Sequence, residues 1–150
     1  MHVSDGTGRS VTFTITAGDL VSVTDPNSKV WTHEYDLPGR MVKHYNPANP
    51  TVPIVTNIYD SIGRVKEQKD VNLNTWTYYL TGSRGEEVNP NGKGSVLYFN
   101  GSGKVIRSVN QLGKKWLSFY DGRNRLVRAV APEGNASEML YDSKDRVIQT

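Results

Sequence analysis

Three histidines and a set of aspartates are the residues of this sequence whose types suit metal binding or acid–base chemistry. His2, His33 and His44 share no metal-ligand spacing with one another or with a carboxylate. We interpret the last two as a stacked surface pair, with His44 roughly opposite Trp31 in a hairpin and His33 two residues along. Gly101–Lys104 lacks the full spacing of a phosphate-binding loop and a helix to follow it. These residues therefore predict neither a metal site nor a cofactor site.

The aspartates recur at a regular pitch, whereas acid–base catalysis needs two carboxylates that converge with shifted pKa values. No Ser/His/Asp or Cys/His set is assembled, and the chain has no cysteine. We therefore expect no catalytic residue and no enzymatic activity. Capping of turns explains the aspartates, since Asp is favoured where turns begin: Asp36, Asp60, Asp121 and Asp142.

Each of these aspartates belongs to a six-residue signature of the form Y-D-x-x-(G/N/D)-R. Four clear copies and two worn ones give six units, and a cation stands five residues after the aromatic in all six. The lead aromatics lie at 35, 59, 79, 99, 120 and 141, so successive steps are 24, 20, 20, 21 and 21 residues. The residues that we expect to hold this repeat together are Tyr35, Asp36, Gly39, Arg40, Tyr59, Asp60, Gly63, Arg64, Tyr79, Arg84, Phe99, Gly103, Lys104, Tyr120, Asp121, Arg125, Tyr141, Asp142 and Arg146.

The signature predicts a β-hairpin loop. Gly, Asn and Asp tolerate the left-handed backbone conformation, and one of them stands fourth after the aromatic in five of the six units. A type I turn closed by a left-handed residue is a common hairpin connection, and an Asp or Asn at its start can bond the loop backbone. We expect the aromatic and the cation to flank this loop as cross-strand neighbours on one face, where ring and guanidinium can stack.

A second set of turn residues lies about ten residues before many of the aromatics, as in Asp25-Pro26-Asn27 and Ala131-Pro132-Glu133-Gly134. Between the turns, the sequence is rich in β-branched and aromatic residues, and no helix is evident. These patterns predict an all-β fold, an antiparallel meander of tandem β-hairpins with about twelve strands. We expect one array over residues 1–150, with clear repeats from about 25 to 150 and a decayed repeat or leading strands over 1–24. It reads as a fragment of a larger chain.

Composition excludes several partners. Eighteen Lys and Arg against fifteen Asp and Glu leave a net charge of only +3, and these cations form no patch of the kind that nucleic-acid binders carry. No apolar run approaches the ~18 residues that span a bilayer, and the first residues lack a signal core. We expect no nucleic-acid binding and no membrane insertion by this segment.

From about Asp25 to Thr150, the array resembles the YD-repeat, or Rhs-repeat, family. This resemblance implies a large hollow β-sheet shell, or solenoid, of which the chain would be a segment. It implies enclosure or presentation of a toxin or effector polypeptide, in a secreted or cell-surface setting, with that cargo or further repeats of the parent chain as partners. Family members with an intact shell carry many more repeats, and toxin-bearing members end in a self-cleaving segment that this sequence does not show.

Three tryptophans leave an alternative open. Trp31, Trp76 and Trp116 each stand three or four residues before a lead aromatic. Buried, they pack as core residues, since large aromatics dominate buried area. Exposed on a flat sheet, they can stack sugar rings, and the chain would then be a cell-surface adhesion or carbohydrate-binding module that recognises glycans.

Overall fold

Ten connections between strands adopt the same five-residue turn in the computed structural model, which describes residues 1–149. In each, the first residue donates its N–H to the carbonyl of the fifth, and the fourth donates to the carbonyl of the first. The fourth residue has positive φ in all ten. This geometry is a type I turn closed by a left-handed residue, as the sequence predicts. The turns begin at Asp5, Asp25, Asp60, Asp70, Asn89, Asn100, Asn110, Asp121, Ala131 and Asp142.

These turns connect the strands of an antiparallel meander. Strands β1 to β14 are neighbours in one sheet in the order in which they occur in the sequence, and β15 and β16 form a separate two-stranded sheet. The predicted all-β meander is therefore confirmed. The number of strands exceeds the expected twelve partly because the first 24 residues form three strands of their own.

The described chain divides into two compact units, with the boundary between Thr77 and Tyr78. The first contains β1 (His2–Ser4), β2 (Ser10–Thr16), β3 (Asp19–Thr24), β4 (Val30–Leu37), β5 (Arg40–Tyr45), β6 (Val55–Tyr59), β7 (Val65–Asp70) and the start of β8 (Thr75–Thr81). The second contains the remainder of β8, then β9 (Arg84–Val88), β10 (Gly94–Phe99), β11 (Val105–Val109), β12 (Lys115–Tyr120), β13 (Leu126–Val130), β14 (Ala136–Glu138), β15 (Leu140–Tyr141) and β16 (Val147–Gln149).

Burial within the described residues is slight. Tyr45 is the one apolar side chain in the buried class, at 9% exposure, and Asn57 is the one polar side chain there, at 8%. A sheet whose strands pair only edge to edge leaves both faces accessible, and large apolar residues such as Leu97 and Phe119 remain 41% and 45% exposed. Neither unit therefore has a separate buried core among the described residues, and the apolar side chains are only partly covered by their neighbours on the sheet.

Within residues 1–149, no helix is long and apolar enough to cross a lipid bilayer.

Candidate functional site

The signature aspartate organises the loop that it begins. In nine of the ten five-residue turns, the first residue is Asp or Asn, and its Oδ1 accepts the N–H groups of the third and fifth residues. At Asp60 these bonds are 3.0 Å from Ile62 and 2.9 Å from Arg64. The side chain thus satisfies two loop N–H groups that the turn leaves without a backbone partner.

The signature cation binds the other oxygen of the same carboxylate. Nε of Arg64 lies 2.9 Å from Oδ2 of Asp60, and the matching distances are 2.8 Å for Arg125 to Asp121 and 2.7 Å for Arg146 to Asp142. Hydrogen bonds from the side chain and backbone of Arg125 hold the pKa of Asp121 below its usual value. The carboxylates therefore stay ionised, as loop-capping groups should.

This geometry corrects the expected pairing of ring and cation. Tyr59 lies directly across from Val65, the residue after the cation, and Tyr120 lies across from Leu126. A shift of register just before each of these tyrosines moves the cation into the loop, where the aspartate binds it. Ring and cation of one signature are thus not cross-strand neighbours.

Two of the signature cations instead reach the ring of the following repeat. The guanidinium carbon of Arg40 lies 5.2 Å from the centroid of the Tyr59 ring, and that of Arg125 lies 4.6 Å from the Tyr141 ring. Both distances are within the range of cation–π attraction. Each contact joins two successive hairpins.

The tyrosine hydroxyls make a second contact between repeats. Each of the four clear signature tyrosines donates a hydrogen bond to a main-chain carbonyl 15 to 18 residues earlier. Three of the acceptors directly follow the cation of the preceding signature. The four bonds are Tyr35 to Leu20 at 3.0 Å, Tyr59 to Met41 at 2.6 Å, Tyr120 to Val105 at 3.1 Å and Tyr141 to Leu126 at 2.7 Å.

The first signature closes differently. Its loop is the two-residue turn Pro38-Gly39, where Gly39 has a φ of 73°. Asp36 lies within β4 and binds Arg40 through two hydrogen bonds of 2.6 Å. The carboxylate of Asp19 accepts the N–H of Gly39 at 2.7 Å in its place.

The two worn copies retain different parts of the motif. Asn100 caps its loop through Ser102 and Lys104 as an aspartate would, with Gly103 at positive φ, but Phe99 has no hydroxyl to donate. Tyr79 is 54% exposed. Arg84 of the same copy binds Glu86 at 2.6 Å, because β8 and β9 meet at a short turn with no aspartate.

The tryptophans lie in separate hairpins. Their cross-strand partners are Val23 for Trp31, Gln68 for Trp76 and Ser108 for Trp116. Trp116 is 37% exposed, and the other two are partly buried. Each is half-covered, so their placement selects neither core packing nor sugar stacking.

His33 and His44 are direct cross-strand partners, which corrects the expected position of His44 opposite Trp31. Their rings stack with centroids 4.7 Å apart, and the two Nδ1 atoms lie 3.0 Å from each other. Burial and the neighbouring His44 lower the pKa of His33 below 6.5. Among residues 1–149, no group of three or more His, Cys, Asp or Glu side chains could hold a metal ion.

Two of the turns, at Asp5 and Asp70, were not predicted from the sequence. Asp5 and Arg9 form the loop and the ion pair of a signature, with Nε of Arg9 2.8 Å from Oδ2 of Asp5, yet Ser4 stands where the tyrosine would be. The spacing D-x-x-G-R alone would have found it. The turn at Asp70 has Leu73 in the left-handed position, with a φ of 64°, so the capping Asp is present but the Gly, Asn or Asp expected in the fourth place is not.

Comparison with known families and structures agrees with this geometry. The family model described as RHS Repeat matches residues 16–51. A comparison with curated protein sequences gives no match.

Solved structures share the fold over most of the chain. The crystal structure of TcdB2-TccC3-TEV is 16% identical with a TM-score of 0.68, and the alignment covers 93% of this chain and 9% of that one. The Photorhabdus luminescens Tc holotoxin pore is 15% identical with a TM-score of 0.65, over 93% of this chain and 9% of that one. The crystal structure of TcdB2-TccC3-Cdc42 is 16% identical with a TM-score of 0.66, and the alignment covers 89% of this chain and 9% of that one.

The chain thus spans less than a tenth of the length of these neighbours. Together the family match over residues 16–51 and the shared fold confirm the resemblance to Rhs, or YD, repeats that the signatures indicated.

Proposed function

We propose that this segment forms part of the wall of a β-sheet shell that encloses or presents a toxin or effector polypeptide. The contacts between successive repeats are the observation that carries this proposal. The hydroxyl of Tyr141 binds the carbonyl of Leu126, and Arg125 lies over the Tyr141 ring, so one signature binds the next through both ring and hydroxyl. A unit whose tyrosine binds the preceding unit, and whose arginine and neighbouring carbonyl bind the following unit, can be repeated to any length.

Low burial supports a wall rather than a self-sufficient globule. With one apolar side chain in the buried class among the described residues, the sheet gains little from a core of its own. Its apolar side chains gain burial when further strands or an enclosed polypeptide cover a face. This requirement favours residues 1–150 as one array within a longer protein, beside further repeats of the same kind.

Known structures support the same proposal through fold alone. The sheet matches about 9% of chains in assemblies that contain TcdB2 and TccC3, and one of these assemblies is a holotoxin pore. By this analogy, the cargo is a toxic domain, and the complete protein acts outside the cell that makes it, in a secreted form or at the cell surface. The segment then contributes structure and no catalysis.

Limited proteolysis of the complete natural polypeptide tests the proposal. If the repeats enclose a cargo, the polypeptide outside the repeats resists a protease in the native protein and is cleaved after denaturation. Replacing Tyr59, Tyr120 and Tyr141 together by Phe removes three bonds between repeats and should shorten the time for which the cargo is protected. Tyr79→Phe is the matched control, since this exposed ring makes no hydroxyl bond within residues 1–149.

Two results would overturn the proposal. One is cleavage of the cargo at the same rate in native and denatured protein. The other is a complete natural polypeptide that contains no segment besides these repeats. Binding of the complete protein to cell-surface glycans that is lost in Trp116→Ala, together with an unprotected cargo, would establish the adhesion alternative.

A further inference from the structure

An open groove of about 520 Å³ lies on the second unit, over strands β10, β11 and β12. Apolar and aromatic side chains provide most of its surface, and Arg107 carries the one charge among the eight lining residues. The lining residues are Tyr98, Asn100, Ile106, Arg107, Leu117, Ser118, Phe119 and Tyr120. The groove thus combines a broad apolar floor with a single cation.

Arg107 differs from every other arginine of the chain. The sequence has nine arginines, and eight of them have a carboxylate oxygen within 4.0 Å. Arg107 has none among residues 1–149. Its guanidinium lies 3.7 Å from the centroid of the Tyr98 ring, and its buried Nε has no hydrogen-bond acceptor. A buried polar group without a partner destabilises the folded chain, and more so when it is charged. Arg107 is therefore a cation whose neighbour is the phenol of Tyr98 and not a carboxylate.

Two other arginines lie near the groove, and each has a carboxylate partner. Hydrogen bonds from Arg84 and Arg107 lower the pKa of Tyr98, as two cations beside one phenol should. Glu86 pairs with Arg84 through a contact of 2.6 Å, so Arg107 is the one of these two cations that has no carboxylate partner among residues 1–149. The guanidinium carbon of Arg128, on β13, lies 5.8 Å from the centroid of the Phe119 ring, and its Nε lies 3.8 Å from Oε1 of Glu138.

Exposure of the floor points to the rest of the ligand. Ile106 is 39% exposed and Phe119 is 45% exposed. Leu117, on β12, is the cross-strand partner of Arg107 on β11. Aliphatic groups on both sides of the cation suit an apolar side chain better than a sugar, whose hydroxyls would meet few polar partners beyond Asn100 and Ser118.

We propose that this groove binds a peptide segment in which a Glu or Asp stands next to a large apolar residue. The carboxylate compensates the charge of Arg107, and the apolar side chain covers Phe119 and Ile106. Ionised pairs with arginine are among the stronger hydrogen bonds, and their planar fork favours a carboxylate over a neutral amide. The inference stands apart from the proposed shell, because a peptide can occupy the groove whether or not the sheet closes around a cargo.

Fluorescence anisotropy on the 150-residue chain tests this inference with labelled eight-residue peptides. The peptides contain Glu-Phe, Gln-Phe or Lys-Phe in an otherwise identical sequence of Ala and Ser. We expect the Glu-Phe peptide to bind at least tenfold more tightly than the Gln-Phe peptide and the Lys-Phe peptide to bind weakest. Arg107→Gln should reduce binding of the Glu-Phe peptide to the level of the Gln-Phe peptide and leave binding of the Gln-Phe peptide unchanged.

Arg123→Gln is the matched control, since this exposed arginine lies on a loop outside the groove and its removal should leave binding unchanged. If Arg107→Gln fails to fold by circular dichroism, the three peptides with the unaltered chain still decide the question. Equal affinity for the Glu-Phe and Gln-Phe peptides would overturn the inference, and so would no binding of any peptide. Binding of a uronate oligosaccharide in preference to the Glu-Phe peptide would assign the groove to glycans instead.

Discussion

The hydroxyl of Tyr59 lies 2.6 Å from the main-chain carbonyl of Met41, in the preceding hairpin. The same carbonyl accepts a second hydrogen bond, of 3.1 Å, from the side-chain amide of Asn57. Asn57 is 8% exposed and accepts a hydrogen bond from Gln68 at 2.9 Å. The contact between these two repeats is therefore part of a small polar network rather than a single bond.

Replacing a signature tyrosine by Phe should destabilise the chain by an amount that depends on this network. Tyr141→Phe removes the one side-chain donor to the Leu126 carbonyl within residues 1–149, and we expect a loss of about 1 kcal/mol. Tyr59→Phe should cost less, because Asn57 still binds the Met41 carbonyl. Urea denaturation followed by circular dichroism measures both changes.

Tyr79→Phe is the control for this pair, and we expect no measurable change in the free energy of unfolding. Equal losses in all three variants would show that the hydroxyl bonds between repeats do not stabilise the sheet.

Ala131 begins the one five-residue turn that lacks a capping side chain. Its backbone bonds match those of the turn at Asn89, and both turns continue with Pro and have Gly in the fourth place. Ala131→Asn should add the two hydrogen bonds that Asn89 makes to Asn91 and Lys93, both 3.0 Å long. We expect a gain of about 1 kcal/mol, which thermal unfolding can measure.

Asn110→Ala is the reverse substitution, since it removes the two hydrogen bonds that Asn110 accepts from Leu112 and Lys114 in a turn with the same backbone bonds. It should lower stability by a similar amount. A stabilising Asn110→Ala would contradict the capping role of these side chains.

Turn chemistry explains why the fold could be predicted from the sequence. A Gly in the fourth place and an Asp or Asn in the first are local requirements, so Asp60 and Gly63 indicate their hairpin without knowledge of the rest of the chain. Repetition of that local pattern then determines the meander.

Contacts between repeats could not be predicted in the same way. The expected stack of ring and cation across one strand pair does occur, but at Tyr98 with Arg107 and at Phe119 with Arg128, one residue before the lead aromatic. Which residue faces which depends on a single shift of register, and one such shift moves every side chain after it to the other face. That Arg107 has no carboxylate partner among residues 1–149 emerges only once the ion pairs of the other arginines are known.

Leu73 occupies the left-handed position that Gly fills in six of the ten equivalent turns. A non-Gly residue there costs roughly 1–2 kcal/mol, and the side chain is 76% exposed, so its removal sacrifices little burial. Leu73→Gly should therefore stabilise the chain by about 0.5 kcal/mol after the added flexibility of the unfolded chain is subtracted. The urea midpoint measures the gain.

Leu112→Gly provides the matched control. Leu112 is 75% exposed, in the third place of its turn, where φ is not positive. Gly relieves no strain there and adds only flexibility to the unfolded chain, so we expect a loss of stability. The strain argument fails if both substitutions shift the midpoint in the same direction.

The stacked histidines should make stability depend on pH in a range that the carboxylates do not affect. Burial and the adjacent His44 lower the pKa of His33 from 6.5, so the folded chain takes up a proton there less readily than the unfolded chain. The contribution of His33 is therefore present above pH 6.5 and is lost as the pH falls through 6.5 toward the folded pKa.

Other groups around this pair carry little charge on its face. Val55 on β6 is the cross-strand partner of His44, and Asp70 lies beyond it as the partner of Val55. Glu34 and Lys43 pair with each other at 2.8 Å on the opposite face, since side chains alternate along a strand. The capping aspartates have pKa values lowered below 3.8, so their contribution is lost only in more acidic solution.

Urea midpoints at pH 8.0, 6.0 and 5.0 should thus decrease stepwise in the unaltered chain. His33→Phe keeps a stacked ring but removes the titrating group, so its midpoints at pH 8.0 and 6.0 should differ less. His2→Phe is the control, since this exposed histidine lies outside the stack. An equal decrease in His33→Phe and in the unaltered chain would show that the stacked pair is not the source of the pH dependence.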